Sequence, residues 1–501
     1  MNSNDSEVVL SVLRDAGYSQ AVCAEGAAVI LLNTCAIREK AEERVWQRLR
    51  ALQHLRRRGA AHAKPVIGVL GCMAERLKEK LLETDGLAEL VAGPDAYRDL
   101  PRLIEVVRAG GGGAMNVQLS ADETYADILP VRSNGKAAYL SIMRGCNNMC
   151  AFCIVPFTRG RERSRPEASI LAEVRLLSEQ GVKEVTLLGQ NVNSYADFSQ
   201  AAQEAERPAA AAAPFAVYAS GFSSVYVPRR EGALRFSELL ERVASVDPEM
   251  RIRFTSPHPK DFPDDLLSVI GERPNLCKQL HLPAQSGSSS VLERMRRGYD
   301  REAYLALALR ARELLPGVSL SSDFISGFCG ETEEEHADTL SLLREVRYEQ
   351  AFMFAYSRRE KTAAARHLAD DVPPAIKQRR LAEVIDTFRA GAAERAAADV
   401  GRLHCVLVEG PSRRSDVQLV GRTDTNKRVI LDDVTVPASW QPGSKAAALV
   451  RLKPGDYVAV RITASTMASL AGMPLGRTTL REFYADDSGG AVLHAPRAVE
   501  I

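Results

Sequence analysis

The feature that most constrains the fold is a regular alternation of strand-like and helix-like segments between residues 136 and 392. Six apolar runs typical of strands are each followed by a segment of helical periodicity. In chain order they are AAYLSIM, EVTLLG, RIRFTS, KQLHL, SLSSDFI and FMFAYS. Six such units in one direction require a parallel sheet with helical crossovers. We therefore predict an α/β fold whose central part is a closed or partly closed (β/α) barrel.

Residues 1–108 predict a smaller α/β domain. A helix is expected at the start, with N-caps available between Ser3 and Ser6 and an end at Gly17. Strands are expected over Ala28–Leu32 and Val66–Gly71, and a helix over MAERLKEKLLE. Because an α/β domain normally begins with a strand, we expect this domain to begin upstream of Met1. Residues 109–135, in which glycines 110–113 are followed by a polar stretch, are predicted to be a linker.

The remaining segments differ in composition. An alanine-rich stretch interrupts the barrel pattern at 196–232 and is predicted to be an inserted surface loop. Residues 396–485 contain short strands and predict a small β-barrel. Residues 401–485 hold twelve Lys and Arg against seven Asp and Glu. In a chain whose 65 basic and 64 acidic residues nearly cancel, this local excess favours RNA binding. The alternative is an evenly solvated surface.

Cysteine spacing gives the strongest chemical indication. The chain has nine cysteines, too sparse and odd in number for a disulfide framework, so metal binding in a reducing compartment is favoured. Cys146, Cys150 and Cys153 follow the first barrel strand with the spacing C-x3-C-x2-C. Structural zinc sites usually take four ligands, whereas three thiolates on one loop suit a [4Fe–4S] cluster with an open iron. We interpret the three cysteines as catalytic. Phe152 either stacks on an adenine or packs in the core.

These motifs carry a family resemblance. The cysteine loop resembles that of the radical S-adenosylmethionine (SAM) enzymes. Further segments resemble the MiaB-type tRNA methylthiotransferases, particularly their eukaryotic branch, and the resemblance covers the chain except the 196–232 insert. They are CAFCIVPFTRGRERSRP, TLLGQNVNSY, IRFTSPHPKDF, HLPAQSGSSSVLERMRRGY, DFISGFCGETEEE and FAYSRREKTAA.

The resemblance implies an N-terminal methylthiotransferase domain (1–108), a radical SAM barrel (136–392) and a C-terminal TRAM domain (396–485). It implies transfer of a methylthio group to C2 of N6-isopentenyladenosine, next to the anticodon in tRNA. Two SAM molecules would be used per turnover, with two [4Fe–4S] clusters and an electron donor. A mitochondrial location is implied, with the cytoplasm as the alternative; no membrane span is predicted. A kinase activator is a further possible partner by resemblance.

Polar residues at the ends of the predicted strands are expected to hold SAM or the target base, although such residues often only cap the following helix. They are Gly189, Gln190, Asn191, Ser256, Gln285 and Asp323. Arginines beside the cysteine loop and at the last strand are expected to contact the SAM carboxylate or RNA phosphates. They are Arg159, Arg163, Arg165 and Arg358. In the TRAM region the candidates for the RNA backbone are Arg413, Arg414, Arg422, Lys427, Arg428 and Arg461.

Cys35 and Cys72 each follow a predicted strand and resemble ligands of the family's second cluster, which supplies the inserted sulfur. The alternative for either is a small buried residue. The family's third cysteine belongs to a C-Q-M-N-x-x-D-S-E stretch, of which Met1-Asn2 and Asp5-Ser6-Glu7 match the tail. The sequence as given therefore offers two of the three thiolates, which would impair the second cluster. We expect the sequence upstream of Met1 to encode a strand that ends in Cys-Gln.

The sequence leaves two alternative functions open. One is methylthiolation of another substrate, such as threonylcarbamoyl-adenosine or a ribosomal protein. The other is a non-catalytic protein that binds a kinase activator, which a missing cluster ligand would favour. The intact C-x3-C-x2-C motif argues against the second alternative, because an adaptor needs no open iron site.

Overall fold

The computed structural model describes residues 1–35, 39–58, 64–84, 86–110, 112–132, 135–199, 218–223, 232–440 and 448–485. These residues form three parts in chain order: a parallel four-stranded sheet with helices, a half-open parallel barrel, and a closed, mostly antiparallel barrel. None of the described helices combines the length and apolar character needed to cross a bilayer.

The N-terminal sheet has the strand order β1 (Val29–Thr34), β2 (Val66–Gly71), β3 (Leu90–Ala92) and β4 (Ala114–Asn116). Side chains of β2 alternate between two apolar clusters on opposite faces of the sheet. This two-sided burial explains why the strand reads as a continuous apolar run. The accompanying helices are Asn2–Asp15, Glu39–Arg58, Cys72–Leu77, Lys80–Glu83 and Leu100–Arg108.

Three sequence expectations for this part need correction. The helix expected over MAERLKEKLLE is two short helices, because Lys78 adopts a left-handed backbone with φ of 52°. The first helix begins at Asn2, so Asn4 and Asp5 lie inside it with buried side chains and do not cap it. The segment expected to be a linker contributes strand β4 to the sheet and buries Tyr125.

The central barrel contains all six predicted strands. Strands β5 (Ala137–Ser141), β8 (Glu184–Leu188) and β11 (Arg251–Thr255) form one parallel sheet. Strands β12 (Gln279–His281), β13 (Ser319–Ser326) and β14 (Gln350–Ala355) form the other. A single parallel bridge between Ile252 and Leu276 joins the two sheets. Within the described residues the barrel is therefore open between β5 and β14.

Helices cover the outside of this barrel, and its principal apolar cluster lies between them and the strands. The helices are Val155–Thr158, Glu167–Glu179, Phe236–Val246, Asp264–Glu272, Ser289–Arg294, Arg301–Leu314, Glu333–Val346, Ala363–His367 and Pro374–Ala397. Two short antiparallel pairs supplement the sheets: β6 (Met143–Arg144) with β7 (Arg163–Ser164), and β9 (Ala196–Asp197) with β10 (Leu234–Arg235). Most of the insert predicted at 196–232 lies outside the described residues.

The C-terminal part is a closed barrel with the order β15-β16-β17-β21-β20. Four of its strands were predicted: β15 (Leu403–Ser412), β16 (Ser415–Thr423), β17 (Arg428–Asp432) and β20 (Tyr457–Ser465). The fifth, β21 (Leu470–Thr478), was missed because its glycines, proline and register shifts obscure the alternation. A small pair, β18 (Thr435–Pro437) and β19 (Leu449–Arg451), and the helix Leu480–Ala485 complete it.

Two buried arginines of β11 attach this C-terminal barrel to the central one. Arg251 donates to the carbonyl oxygens of Arg422 (2.8 Å) and Cys405 (2.6 Å). Arg253 donates to those of Asp424 (2.7 Å) and Thr423 (2.6 Å). The C-terminal barrel therefore covers the end of the central barrel at which β11 begins.

Arg251→Ala is expected to loosen this attachment, because each hydrogen bond from a charged group is worth about 1.5–3 kcal/mol. Limited proteolysis should release the C-terminal barrel faster by cleavage near residues 398–402. Arg273→Ala is the control, since its 2.6 Å ion pair with Glu241 is solvent-exposed and such pairs contribute about 0–1 kcal/mol. Equal cleavage rates for the two variants would contradict the prediction.

Candidate active site

The three clustered cysteines lie on a tightly held loop after β5. Pairing of β6 with β7 closes the base of this loop. Gly145 has φ of 78°, and a Cβ there would lie 1.9 Å from the carbonyl oxygen of Arg161, so only glycine fits. The middle of the loop is fixed at Ala151, whose N–H donates to Met295 O and whose carbonyl accepts from Ala364 N–H, both at 2.8 Å.

The thiols of this loop are free, and those of Cys146 and Cys150 are buried. Burial, followed by the neighbouring cysteines, raises the pKa of Cys146 and Cys153 above the usual thiol value. Within the described residues no three metal-binding side chains converge as a ready-made site. Three thiols on one buried loop, unpaired by disulfides, nevertheless form the donor set that an iron–sulfur cluster takes. Binding iron would deprotonate them and release protons.

Residues after β8 support the loop from one side. The N–H of Gly145, the residue directly before Cys146, donates to the side-chain oxygen of Gln190. Gly189 lies against Met143, where a Cβ would approach Cγ to 2.7 Å. Asn191 is buried and donates to Asp261 at 3.1 Å, while its side-chain oxygen has no partner among the described residues. This segment therefore holds the cysteine loop in place.

The other predicted strand-end residues lie on the inner side of the barrel or at its rim. Ser256 is exposed, has φ of 59°, and accepts from Val192 N–H at 3.2 Å. Gln285 has φ of 73° and its N–H donates to the carbonyl of Asp323 at 2.8 Å. The Asp323 carboxylate lies 3.3 Å from Nε2 of His281, whose Nδ1 is 3.0 Å from Ser321 Oγ.

An elongated cavity of about 800 Å³ runs along the inner face of the barrel. Ser256 lies at one end of it, and Glu409, Arg422 and Asn426 of the C-terminal barrel line the other. The strands contribute mostly polar groups: Glu184, Thr186, Arg253, Gln279, His281, Ser321, Asp323 and Gln350. The exposed rings of Tyr139 and Phe352, on edge strands β5 and β14, also line it.

Buried ion pairs join the N-terminal part to the cysteine loop. The Asp5 carboxylate lies 2.6 Å from Arg159 and 3.1 Å from Arg144. Burial alone would raise the pKa of Asp5, but these two guanidinium groups hold that pKa below its usual value. Asp95 forms a second pair, 2.9 Å from Arg163.

The arginines expected to contact SAM or RNA are thus used inside the protein. Arg159 and Arg163 form the ion pairs with Asp5 and Asp95, and Arg165 lies 2.6 Å from Glu173. All three are buried, because their carboxylate partners are on elements that pack against the loop. The structure therefore assigns them to interdomain and local contacts, away from an RNA surface.

The second pair of cysteines lies on the other side of this interface. Thr34 of β1 pairs with Gly71 of β2, so Cys35 and Cys72 leave the sheet side by side. Arg159 Nε donates to Cys72 Sγ at 3.2 Å, and Cys72 packs against Ile154 of the cysteine loop. The two cysteine sites are therefore neighbours across the domain boundary, which the sequence did not predict.

The remaining predicted residues are more scattered. Phe152 is partly buried against the cluster that contains Phe328 and Tyr356. Arg358 is exposed and donates to Ala365 O at 2.5 Å. In the C-terminal barrel Arg422 pairs with Glu409 at 2.8 Å, Lys427 pairs with Asp399, and Arg461 is half-buried; Arg413, Arg414 and Arg428 are exposed.

Sequence reasoning missed His281, Tyr139 and Phe352. Their signal was present in the two-residue periodicity of the strands, because residues of one parity face the barrel interior. Tyr139, exposed between the buried Ala138 and Leu140, shows this alternation directly. Asp5 carried no such signal, since its partners lie more than a hundred residues away.

Comparisons with known proteins match each part of the chain. Residues 140–343 match the radical SAM superfamily, residues 1–93 match the uncharacterized protein family UPF0004, and residues 398–475 match the TRAM domain.

Relatives align over almost the whole chain. The mitochondrial tRNA methylthiotransferase CDK5RAP1 of Mus musculus is 56% identical over 485 residues, which cover 96% of this chain and 80% of that protein. A CDK5RAP1-like protein of Oryza sativa subsp. japonica is 53% identical, with coverage of 98% and 82%. The tRNA-2-methylthio-N(6)-dimethylallyladenosine synthase of Chloroherpeton thalassium is 48% identical, with coverage of 95% and 94%.

Glu75 lies on the helix that begins at Cys72. The pH dependence of the protein's stability tests how strongly Glu75 is buried there. Burial raises its pKa from 4.5 to about 7. The pKa of Glu75 is higher in the folded chain than in the unfolded chain. The contribution of Glu75 to stability is therefore fully present below pH 4.5 and is lost as the pH increases through 7. Glu75→Gln, which stays neutral, should therefore raise the Tm relative to the parent chain above pH 7 and give no such gain near pH 4.5.

Thermal unfolding followed by circular dichroism between pH 4.5 and 8.5 measures this difference. Glu79→Gln, at an exposed position four residues further on, is the matched control and should show no pH-dependent difference. A Glu75→Gln effect that is the same at every pH would refute the prediction.

Proposed function

The chain belongs to the family of radical SAM tRNA methylthiotransferases, and we propose that it adds a methylthio group to C2 of N6-isopentenyladenosine beside the anticodon of tRNA. The observation that carries this proposal is the juxtaposition of two cysteine sites. The three-cysteine loop and the pair Cys35 and Cys72 meet at one buried interface, with Arg159 between them. Two such sites close together suit a reaction that activates a carbon and delivers sulfur to it.

The cysteine loop would hold the first [4Fe–4S] cluster, with SAM at its open iron. Cys146, Cys150 and Cys153 are the ligands. When bound, this cluster supplies the electron that cleaves SAM and yields the radical chemistry that a side chain cannot perform. The protein's own contribution is to fix the loop through Gly145, Gln190 and Ala151 and to keep the loop buried.

We assign the second, sulfur-supplying cluster to the site of Cys35 and Cys72, which supply two of the three thiolates that the family's second cluster takes. Two adjacent strand ends bring these cysteines together. The contact of Arg159 with Cys72 Sγ places a positive charge where thiolates would gather. The ion pair of Arg159 with Asp5 fixes that charge relative to the cysteine loop. The methyl group would come from a second SAM molecule.

The barrel cavity is the proposed site of the target nucleoside. A base in the unpaired anticodon loop can leave the stack at modest cost and stack on aromatic side chains. Tyr139 and Phe352 expose their rings on the two edge strands, at the open side of the barrel. His281 and Asp323 lie deeper and offer hydrogen-bonding groups to the base or to SAM.

The C-terminal barrel is proposed to hold the RNA backbone. Its exposed Arg413, Arg414 and Arg428 are available for phosphates, whereas Arg422 and Lys427 already face carboxylates. A low-potential electron donor protein is a further partner. The names of the animal relatives support a mitochondrial location.

Single cysteine substitutions should separate the two sites. Cys150→Ala is expected to abolish both 5′-deoxyadenosine formation and methylthiolation. Cys72→Ala is expected to lower the methylthiolated product while SAM cleavage continues, because the first site is untouched. Each variant should lose up to about four irons per chain relative to the parent after anaerobic reconstitution.

Product nucleosides and 5′-deoxyadenosine are both quantified by mass spectrometry after reaction with isopentenylated tRNA. Cys277→Ala, at a buried cysteine far from both sites in sequence, is the matched control and should behave like the parent. Loss of SAM cleavage in Cys72→Ala equal to that in Cys150→Ala would argue against two separate roles.

Removal of either exposed ring should weaken binding of the target base. Because stacking of one base on an aromatic ring is worth about 1–3 kcal/mol, Tyr139→Ala or Phe352→Ala should raise the KM for isopentenylated tRNA roughly tenfold. Tyr139→Phe keeps the ring and should stay near the parent value. Leu309→Ala, at an exposed position on an outer helix, controls for loss of apolar surface. An unchanged KM in both alanine variants would exclude the cavity as the base site.

A further inference from the structure

Arg297 is a buried arginine that contacts a cysteine of the first cluster site. Its side chain is 5% exposed. Nη1 donates to Cys150 Sγ at 3.2 Å, Nη2 to the carbonyl of Pro283 at 2.9 Å, and Nε to the hydroxyl of Tyr299 at 3.0 Å. Within the described part of the chain these partners include no carboxylate.

Several other buried arginines among the described residues have a carboxylate partner, although Arg251 donates to carbonyl oxygens. Arg144 and Arg159 share Asp5, and Arg380 lies 2.9 Å from Glu331. A buried guanidinium without an anion is strongly unfavourable, since its hydration is lost and no Coulomb attraction replaces it. One donor of Arg297 faces Cys150 Sγ, a sulfur of the first cluster site, so a cluster held there would supply an anion for this guanidinium group.

The titratable groups near Arg297 do not supply that anion. Burial, the charge of Arg297 and that of Lys260 hold the pKa of His258 well below its usual value, so this imidazole is neutral. Lys260 itself is paired with Asp261 at 2.7 Å. Tyr299 has a raised pKa because it is buried, and its hydroxyl stays neutral. Among the described residues, the contact of Arg297 that belongs to the cluster site is Cys150, whose Sγ lies 3.2 Å from Nη1.

The backbone holds Arg297 rigidly against the cysteine loop. After the helix Ser289–Arg294 the chain turns at Arg296 and Gly298, with φ of 56° and 72°. A Cβ at Gly298 would lie 2.2 Å from Ser223 O, so this turn needs glycine. Met295, two residues before Arg297, accepts the N–H of Ala151 in the cysteine loop. The guanidinium position is thus fixed relative to Cys150.

We propose that Arg297 is the counterion and hydrogen-bond donor of the iron–sulfur cluster held by Cys146, Cys150 and Cys153, and that it sets the reduction potential of this cluster. The inference rests on the proposed function. Three thiolates bring negative charge into the loop. The buried guanidinium group beside them neutralises part of that charge and itself gains an anionic partner. Reduction adds one electron from the low-potential donor and breaks no protein bond. Positive charge and N–H···S bonds favour the more negative, reduced state and so raise the potential.

The potential of the reconstituted full chain tests the proposal, by a redox titration followed by electron paramagnetic resonance. Cys72→Ala serves as the background, so that the signal comes from the first cluster. In this background Arg297→Gln should lower the reduction equilibrium constant about tenfold, which is a shift of about 59 mV to more negative potential for a one-electron couple. Arg297→Lys, which keeps the charge but not the fork of donors, should shift it less.

Arg296→Gln is the matched control, because it removes the same charge from the neighbouring, exposed position of the same turn. It should leave the potential unchanged. If Arg297→Gln does not retain iron, the reduction potential of the Arg297→Lys variant is compared with that of the Cys72→Ala background instead. Equal potentials overturn the proposal. Equal shifts in the Arg296 and Arg297 variants overturn it as well.

The stability of the cluster-free and cluster-loaded chains distinguishes a counterion from a purely structural arginine. Loss of the bonds to Pro283 and Tyr299 alone would lower the Tm of both forms alike. The proposal instead expects Arg297→Gln to lower the Tm of the loaded chain and to reduce the gain in Tm on loading, with a smaller loss in the cluster-free chain. A parent chain that binds no iron overturns both the inference and the proposed function, whereas a loaded, SAM-cleaving parent with an unaffected Arg297→Gln variant overturns the inference only.

Discussion

The Asp5 carboxylate, shared by the buried guanidinium groups of Arg144 and Arg159, is the interaction on which the geometry of the site depends. Arg144 directly precedes the cysteine loop, and Arg159 follows its last cysteine and contacts Cys72. One carboxylate thus fixes the first cysteine site, the second cysteine site and the boundary between two domains. Because breaking a buried pair costs about 3–5 kcal/mol, this interaction opposes separation of the two domains.

The half-open barrel and its two neighbours together line one cavity. The N-terminal helix contributes Ser3 and Glu7 to its wall, and the C-terminal barrel contributes Glu409, Arg422 and Asn426. The attachment through Arg251 and Arg253 keeps the latter residues in place. All three domains therefore line this cavity, and the edge strands with Tyr139 and Phe352 leave one side accessible.

Local patterns predicted the fold well and the site in part. The six barrel strands and the cysteine loop were predictable because periodicity and spacing are properties of neighbouring residues. Lys78 and β21 were not, since a left-handed residue and an irregular strand leave little trace in composition. Arg159 and Arg165 were read as ligand-binding because exposed and paired arginines look alike in sequence. Their carboxylate partners, Asp5 and Glu173, become visible only in three dimensions.

The separation of Asp5 from its partners also bears on how the protein is made. The carboxylate lies 139 residues before Arg144 and 154 before Arg159. At a synthesis rate of 5–20 residues per second, the nascent N-terminal domain waits roughly 7–30 s before either guanidinium exists. Throughout that interval Asp5 must remain hydrated at the surface on which the barrel will later close. The N-terminal domain is translated before the central barrel, so its docking face is completed only after the cysteine loop has been translated.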